Sequence, residues 1–158
     1  LINNFLHGTG IGTQTMIATA IGSNNNEKIN NTTKIINSLN KKIVYITTVI
    51  IGIAMLISLP YFLVEKESLI IGYKLLLFVI LDCILSGFYH YYSSILRAMK
   101  EFKYISKLSL CISGGLKLIL AYLLSKICGI YGVWICFIIS DLIMNILLNK
   151  KITQIRFY

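Results

Sequence analysis

The stretch that decides the fold is Ile21–Lys28, which reads IGSNNNEK. It separates an almost uncharged run of small and apolar residues from a polar and basic run. A glycine before a string of asparagines is typical of a helix end, and we expect Gly22 to adopt the left-handed conformation that ends many helices. The same eight residues fit a helix cap in a soluble bundle and the point at which a chain leaves a membrane.

Composition favours the membrane. Of the 158 residues, 56% are hydrophobic and only 13% are charged, and the mean hydropathy is +0.77. Soluble domains carry about 25% charged residues, and a domain of this size keeps much of its surface in water. The sequence therefore predicts an all-α, polytopic membrane protein.

Five apolar runs are candidate membrane spans, and most reach the ~20 residues that cross a ~30 Å hydrocarbon core. The runs cover approximately residues 4–22, 43–64, 72–95, 104–126 and 129–149. We interpret the chain, residues 1–158, as one membrane-spanning unit surrounded by membrane lipid.

Basic and non-basic connections alternate along the chain. Segments 23–42 and 96–107 and the tail after residue 149 are rich in Lys and Arg, whereas segments 65–71 and 126–128 have no such excess. The positive-inside rule places the basic segments in the cytoplasm. We therefore expect a multi-pass protein of the cell membrane whose N-terminus lies outside and whose C-terminus is cytoplasmic. An odd number of spans with an outside start indicates that one helix precedes this chain.

The net charge of +9 then reflects topology, and no nucleic-acid partner is expected.

The first predicted span carries small residues at helix-packing spacing. Gly8 and Gly12 are four residues apart, as are Ala18 and Gly22, and such spacing lets helix backbones approach closely in lipid. Gln14 and neighbouring threonines add polar groups, which should face protein or a water-filled cavity. A tightly packed interior helix and a cavity-lining helix both fit this pattern.

Three ionisable residues, Asp82, Lys117 and Asp141, lie inside predicted spans, where charges are costly and by default mark function. A rise of ~1.5 Å per residue puts all three at similar depth, so Lys117 is able to pair with either acid. We hypothesise that the acids belong to a proton- or cation-coupling site. The alternative is a structural ion pair that only neutralises buried charge. His90, in the inner third of the third span, either lines a cavity or hydrogen bonds to a neighbouring helix.

Signatures of catalysis are absent from the sequence. It contains no nucleotide-binding P-loop, no H-E-x-x-H and no G-x-S-x-G, which are the motifs of common enzyme classes. The four cysteines form no C-x-x-C pair, and their spacing predicts no metal site. We expect a protein that is not an enzyme and holds no cofactor.

Three stretches together resemble the MATE (multidrug and toxic compound extrusion) transporters of the MOP flippase superfamily. GIGTQTMIATAIGSNNNEK, at Gly10–Lys28, resembles the second helix of a lobe. SSILRAMKEFKY, at Ser93–Tyr104, resembles the basic loop after the fourth helix, and GIYGVWICFIISD, at Gly129–Asp141, resembles the start of the last helix. Their order covers nearly the whole chain as helices two to six of one six-helix lobe, and it favours the C-terminal lobe.

The resemblance implies two six-helix lobes around a central cavity, so the expected partners are the missing helix and the second lobe of the same full-length chain. It implies an antiporter that exports drugs, metabolites or other small organic substrates by alternating access, in exchange for protons or sodium. Some members carry an acidic residue on the fourth helix of the second lobe. That position falls near Ser86 here, one helical turn from Asp82. Asp141 matches the Ser-Asp of the last helix, where a structural role is expected.

Two other functions stay open at this point. One is a flippase for polyprenyl-linked oligosaccharide, which belongs to the same superfamily, and the other is a non-transporting membrane scaffold subunit. A flippase should place Lys117 in the cavity wall to meet a pyrophosphate, whereas an exporter of organic cations should place Asp82 there beside tyrosines. Five helices of one lobe do not enclose a two-lobe cavity, so we do not expect the isolated chain to transport.

Overall fold

The structure, a computed structural model, describes the backbone of residues 2–156 and the side chains of residues 4–155. Within this part of the chain every element is helical, and no strand is present. The helices are α1 (Ile2–Gly22), α2 (Asn26–Phe62), α3 (Lys66–Ala98), α4 (Phe102–Ser109), α5 (Lys117–Cys128) and α6 (Ile130–Arg156). A seven-residue π-helical segment, Leu110–Leu116, joins α4 to α5 without a break. The prediction of an all-α fold is confirmed.

Four helical stretches are long and apolar enough to cross a membrane, and they correspond to the second to fifth predicted spans. They are Asn26–Phe62, Lys66–Ala98, Phe102–Cys128 and Ile130–Ile155. This confirms a polytopic membrane protein. The helix over the first predicted span, α1, is not among the four, so the count of five spans stays a prediction.

The turn between α1 and α2 is shorter than the sequence indicated. It is three residues long, and α2 begins inside the segment 23–42 that was expected to be a polar loop. The residue in the left-handed region is Asn24, with φ 51°, whereas Gly22 is the last residue of α1. The Asn25 side chain caps α2 by accepting a hydrogen bond of 3.1 Å from the N–H of Lys28. Asparagine tolerates the left-handed conformation and is a favoured N-cap, so the asparagines themselves make the turn.

A buried stripe explains why α2 is helical through the segment expected as a loop. Its buried residues recur mainly at intervals of three and four, the spacing of one helix face. They are Thr33, Ile36, Asn40, Val44, Thr48, Ile51 and Gly52. The lysines of this segment, including Lys34, Lys41 and Lys42, point away from the stripe and are exposed.

Helix α3 lies at the centre of the bundle, where it packs against α1, α2 and α6, and α5 packs against α6. One apolar cluster joins α1, α2, α3, α4 and α6 near the ends that carry most of the basic residues, and it includes Ile17, Ile36, Leu96, Ile105 and Leu148. We call this the basic end. A smaller cluster of Leu6, Val44, Ile51 and Cys83 lies deeper along α3.

Glycines permit close packing on α3, and Gly87 and Gly10 are two of them. A Cβ on Gly87 would overlap the Val44 side chain of α2, and a Cβ on Gly10 of α1 would lie 2.8 Å from the Ser94 Oγ of α3. Both glycines therefore allow a neighbouring helix to approach where a larger residue would hold it away.

The small residues that the sequence analysis selected for packing lie on another face of α1. Gly8, Gly12, Ala18 and Gly22 are all exposed, and a Cβ on Gly8, Gly12 or Gly22 would meet no atom within 4 Å. The buried face of α1 carries Leu6, Gly10, Thr13, Ile17 and Ala20 instead. Gly8, Gly12 and Gly22 thus make no close helix contact within the described part of the chain. Gly10, which does, is turned by about 160° from Gly8 and Gly12 around the helix axis.

We expect Gly87→Ala to destabilise the fold by about 1–3 kcal/mol, because the added methyl overpacks the contact with Val44. Gly12→Ala adds the same methyl in open space on a helix and should be neutral or slightly stabilising. Val44→Ala should restore part of the loss in the Gly87→Ala background. Thermal unfolding in detergent measures all three effects, and equal melting temperatures for Gly87→Ala and Gly12→Ala would contradict this account of the packing.

Candidate functional site

An ion pair joins the first residue of α5 to α6. The Nζ of Lys117 lies 3.1 Å from Oδ1 of Asp141, and the two side chains are only 19% and 22% exposed. The same ammonium lies 4.3 Å from the centroid of the Phe137 ring. Both charged residues are eleven residues from the turn that joins the two helices, which corresponds to about 16 Å along each helix. The pair is therefore at membrane depth.

The turn between α5 and α6 brings these two residues to the same level. Gly129 forms it with φ 58°, a conformation that glycine adopts without strain. Three residues later Gly132 lies directly against the backbone of Leu124, and a Cβ there would overlap that backbone. Because the two helices touch and run antiparallel from one tight turn, Lys117 and Asp141 lie at the same level.

A second acid completes the charged cluster. The Asp82 side chain of α3 interacts electrostatically with both Asp141 and Lys117. The structure thus brings together the three ionisable residues selected from the sequence. Of the two acids that were considered as partners of Lys117, it is Asp141 that forms the ion pair. The other ion pair in the described part of the chain, Lys151 with Glu101 at 3.9 Å, lies at the basic end. We call Asp82, Lys117 and Asp141 the charge cluster.

A polar groove runs beside the charge cluster between α3, the π segment and α6. Its deeper part is a cavity of about 270 Å³ lined by Ser86, Tyr89, His90, Ser113, Lys117, Asp141 and Met144. A second cavity of about 480 Å³ shares Tyr89 and Ser113 and continues toward the basic end, with Arg97, Ile105, Ser106, Ser109, Leu110 and Gly114 as its other lining residues. We refer to the two cavities together as the polar groove.

The remaining predicted site residues have different positions relative to the groove. His90 lines it, and its ring also meets the ring of His7 on α1 edge-on, with the centroids 5.7 Å apart. Gln14 is not among the lining residues, and neither is Asp82. The groove wall near the charge cluster therefore carries the lysine and one of the two acids.

Sequence reasoning missed the hydroxyl groups of the groove. Ser106, Ser109 and Ser113 recur at intervals of three and four, which puts them on one side of the helix that runs from α4 into the π segment. Polar residues at that spacing inside an apolar span were the signal that could have found them.

A buried asparagine, also missed, fixes α6 to α3 beside the charge cluster. The Nδ2 of Asn145 donates to the carbonyl oxygens of Leu85 and Asp141, each at 2.9 Å. Hydrogen bonds between helices in membranes contribute on the order of 0.6 kcal/mol each. Because Asn145 is one turn from Asp141, this bond holds the acid at the level of Asp82.

The family model of MatE matches residues 1–123, which is most of the chain and includes Asp82 and Lys117. The chain belongs to the MatE family. No curated protein and no solved structure matches it. MatE proteins are transporters of the MOP superfamily and not enzymes, and the apolar helices agree with a multi-pass membrane protein. The family resemblance seen in the sequence is thereby confirmed. The match to MatE ends within α5, so Asp141 on α6 lies beyond it.

We expect Asp141→Asn to lower the melting temperature of this MatE chain, because it leaves the ammonium of Lys117 partly buried without its counter-charge, at a cost of about 1–3 kcal/mol. Lys117→Met should suppress much of that loss, since it removes the unpaired charge and keeps the apolar volume. Thermal unfolding of the two single variants and the double variant measures the interaction. Strictly additive effects would show that the two side chains do not interact.

Proposed function

We propose that this MatE chain is part of a cation-coupled secondary antiporter that exports drugs or metabolites across the cell membrane by alternating access. The observation that carries the proposal is the charge cluster of Asp82, Lys117 and Asp141 at membrane depth, beside the polar groove.

The charge balance of the cluster favours a coupling role. Two carboxylates and one ammonium leave one negative charge when all three groups are ionised. One proton or one sodium ion makes the cluster neutral, and charge inside a membrane is costly. The acids lie on α3 and α6 and the lysine on α5, so binding of a cation changes the attraction among three helices. A cation that changes helix packing is able to bias one of two conformations over the other.

The orientation of the protein follows from the positive-inside rule. Under the proposal the basic end, which carries the exposed lysines at the start of α2 and of α4, faces the cytoplasm. The short turn at Gly129 then faces outside, and the charge cluster lies between the two surfaces.

A second candidate function is a flippase for polyprenyl-linked oligosaccharide. It is favoured by the lining of the polar groove, which contains Lys117 and Arg97 as well as several serines, whereas Asp82, the acid expected in the wall of an exporter, is not among the lining residues. Arginine and hydroxyl groups suit phosphate and sugar ligands. The antiporter is preferred because the ammonium of Lys117 is already paired with Asp141 at 3.1 Å, which leaves it less available to an anionic ligand.

Transport by the full-length protein in proteoliposomes tests the two candidates. Efflux of the fluorescent cation ethidium, driven by an imposed proton or sodium gradient, should fall at least about tenfold in Asp82→Asn and in Asp141→Asn, which is within the usual range of coupling energies. Glu67→Gln, an exposed acid at the start of α3, is the matched control and should transport normally.

The outcomes separate the hypotheses. Undiminished gradient-driven efflux in both aspartate variants would contradict the antiporter. Movement of a fluorescent polyprenyl-pyrophosphate sugar that is lost in Arg97→Gln but kept in Lys103→Gln would instead support the flippase. Transport of neither probe by the intact protein would favour a scaffold role.

A further inference from the structure

We infer that the π geometry at Gly114–Gly115, which takes up one residue more than an α-helix would, keeps Lys117 turned toward Asp141. The glycines permit this geometry, and its role in transport rests on the proposed function. The geometric part of the inference stands on the helix register alone.

The register around Ile112 is the first observation. Lys117 follows the buried Ile112 by five residues, and the N–H of Lys117 donates to the carbonyl oxygen of Ile112. Five residues turn an α-helix by about 140° beyond one full turn, so in an uninterrupted α-helix Lys117 would point away from the face that Ile112 buries. In a π turn the backbone bonds join residues five apart. Lys117 thus occupies the position that residue 116 would hold in a plain α-helix.

The burial pattern of the helix shows independently that its buried face turns after the π segment. Ile105 and Ile112 are 5% and 6% exposed, and their spacing of seven predicts that Ile119 continues the buried face. Ile119 is instead 60% exposed. The less exposed positions after Ile112 are Leu116, Lys117, Leu120, Ala121, Leu124 and Ser125. The face that meets α6 thus includes Lys117 and no longer follows the seven-residue spacing to Ile119.

The sequence of the segment explains why the shift occurs there. Gly114 and Gly115 are consecutive, exposed, and surrounded by open space at the position of a Cβ. Each glycine makes an α-helix less favourable by about 1 kcal/mol relative to alanine, which lowers the cost of leaving α geometry at this point. Short π segments are rare and are often found at functional sites. This one forms a wall of the polar groove through Ser113 and Gly114.

The alternative register shows what the π segment achieves. If the same residues formed an uninterrupted α-helix, Leu116 would take the place of Lys117 against α6, and Lys117 would turn toward the side on which Leu118 is 72% exposed. Asp141 would then lose its partner inside the membrane, and the ammonium would face lipid, both of which are costly. The ion pair and the π segment therefore stabilise each other.

Three variants of the full-length protein test the inference. Deletion of Gly115 removes the extra residue, so the segment is able to become α-helical while Lys117 keeps its place. Deletion of the exposed Leu118 is the matched control, because it shortens the same helix by one residue but shifts the turns that pack on α6. The exchange Leu116→Lys with Lys117→Leu keeps chain length and composition and turns the ammonium by about 100°.

The readout is the interaction between the lysine and Asp141, measured as the non-additivity of melting temperatures when each is neutralised by Met or Asn. We expect the non-additivity of the parent, about 3 °C or more for a chain of this size, to persist after deletion of Gly115 and to vanish in the exchange variant. Gradient-driven efflux should likewise be retained after deletion of Gly115 and lost in the exchange variant. Deletion of Leu118 should lower the melting temperature more than deletion of Gly115.

Two results would overturn the inference. One is an exchange variant that keeps both the non-additivity and the efflux, because the register of the lysine would then be irrelevant. The other is a Gly115 deletion that is as damaging as the Leu118 deletion. If neither deletion variant accumulates, the exchange variant decides alone. The parent protein should also show gradient-driven efflux. If it does not, while the melting temperatures keep the expected pattern of non-additivity, the proposed function is contradicted and the positioning role is still supported.

Discussion

The ion pair between Lys117 and Asp141 is the interaction on which the rest of the structure depends, because an isolated charge at membrane depth is costly. Several features of the sequence serve to make that pair. The turn at Gly129 and the contact of Gly132 with Leu124 set α5 and α6 in register, and the π segment turns Lys117 toward α6. Asn145 then holds α6 at the level of Asp82 on α3. The charge cluster is thus a product of packing among three helices, and two of its members, Lys117 and Asp141, line the polar groove.

The membrane class, the helical fold and the depth of the charged residues could all be predicted from sequence. These properties depend on local quantities, namely the length of apolar runs and the fixed rise of a helix, which tertiary contacts do not change. That is why the second to fifth predicted spans correspond to long apolar helices, and why residues separated by more than fifty positions, such as Asp82 and Asp141, meet at one level.

Other features escaped prediction because they depend on which face of a helix is buried. The spacing of Gly8 and Gly12 has the form of a packing motif, yet the glycine in contact is Gly10, whose face meets α3. The partner of Lys117 was left open because the rise of a helix gives the depth of a residue but not the helix against which its side chain packs. The polar segment after Gly22 was expected to be a loop, but a buried stripe that includes Ile36 and Val44 continues α2 through it.

Solid-state NMR on the full-length protein in lipid bilayers tests the central claim most directly. The sample carries ¹⁵N at lysine Nζ and ¹³C at aspartate Cγ, and the dipolar coupling between the two labels reports on their distance. This chain contains two aspartates, and the lysine–aspartate ion pair in its described part is Lys117 with Asp141. The account predicts a strong coupling in the parent that is lost in Asp141→Asn and kept in Asp82→Asn. A coupling that is absent from the parent, or unchanged by Asp141→Asn, would contradict it.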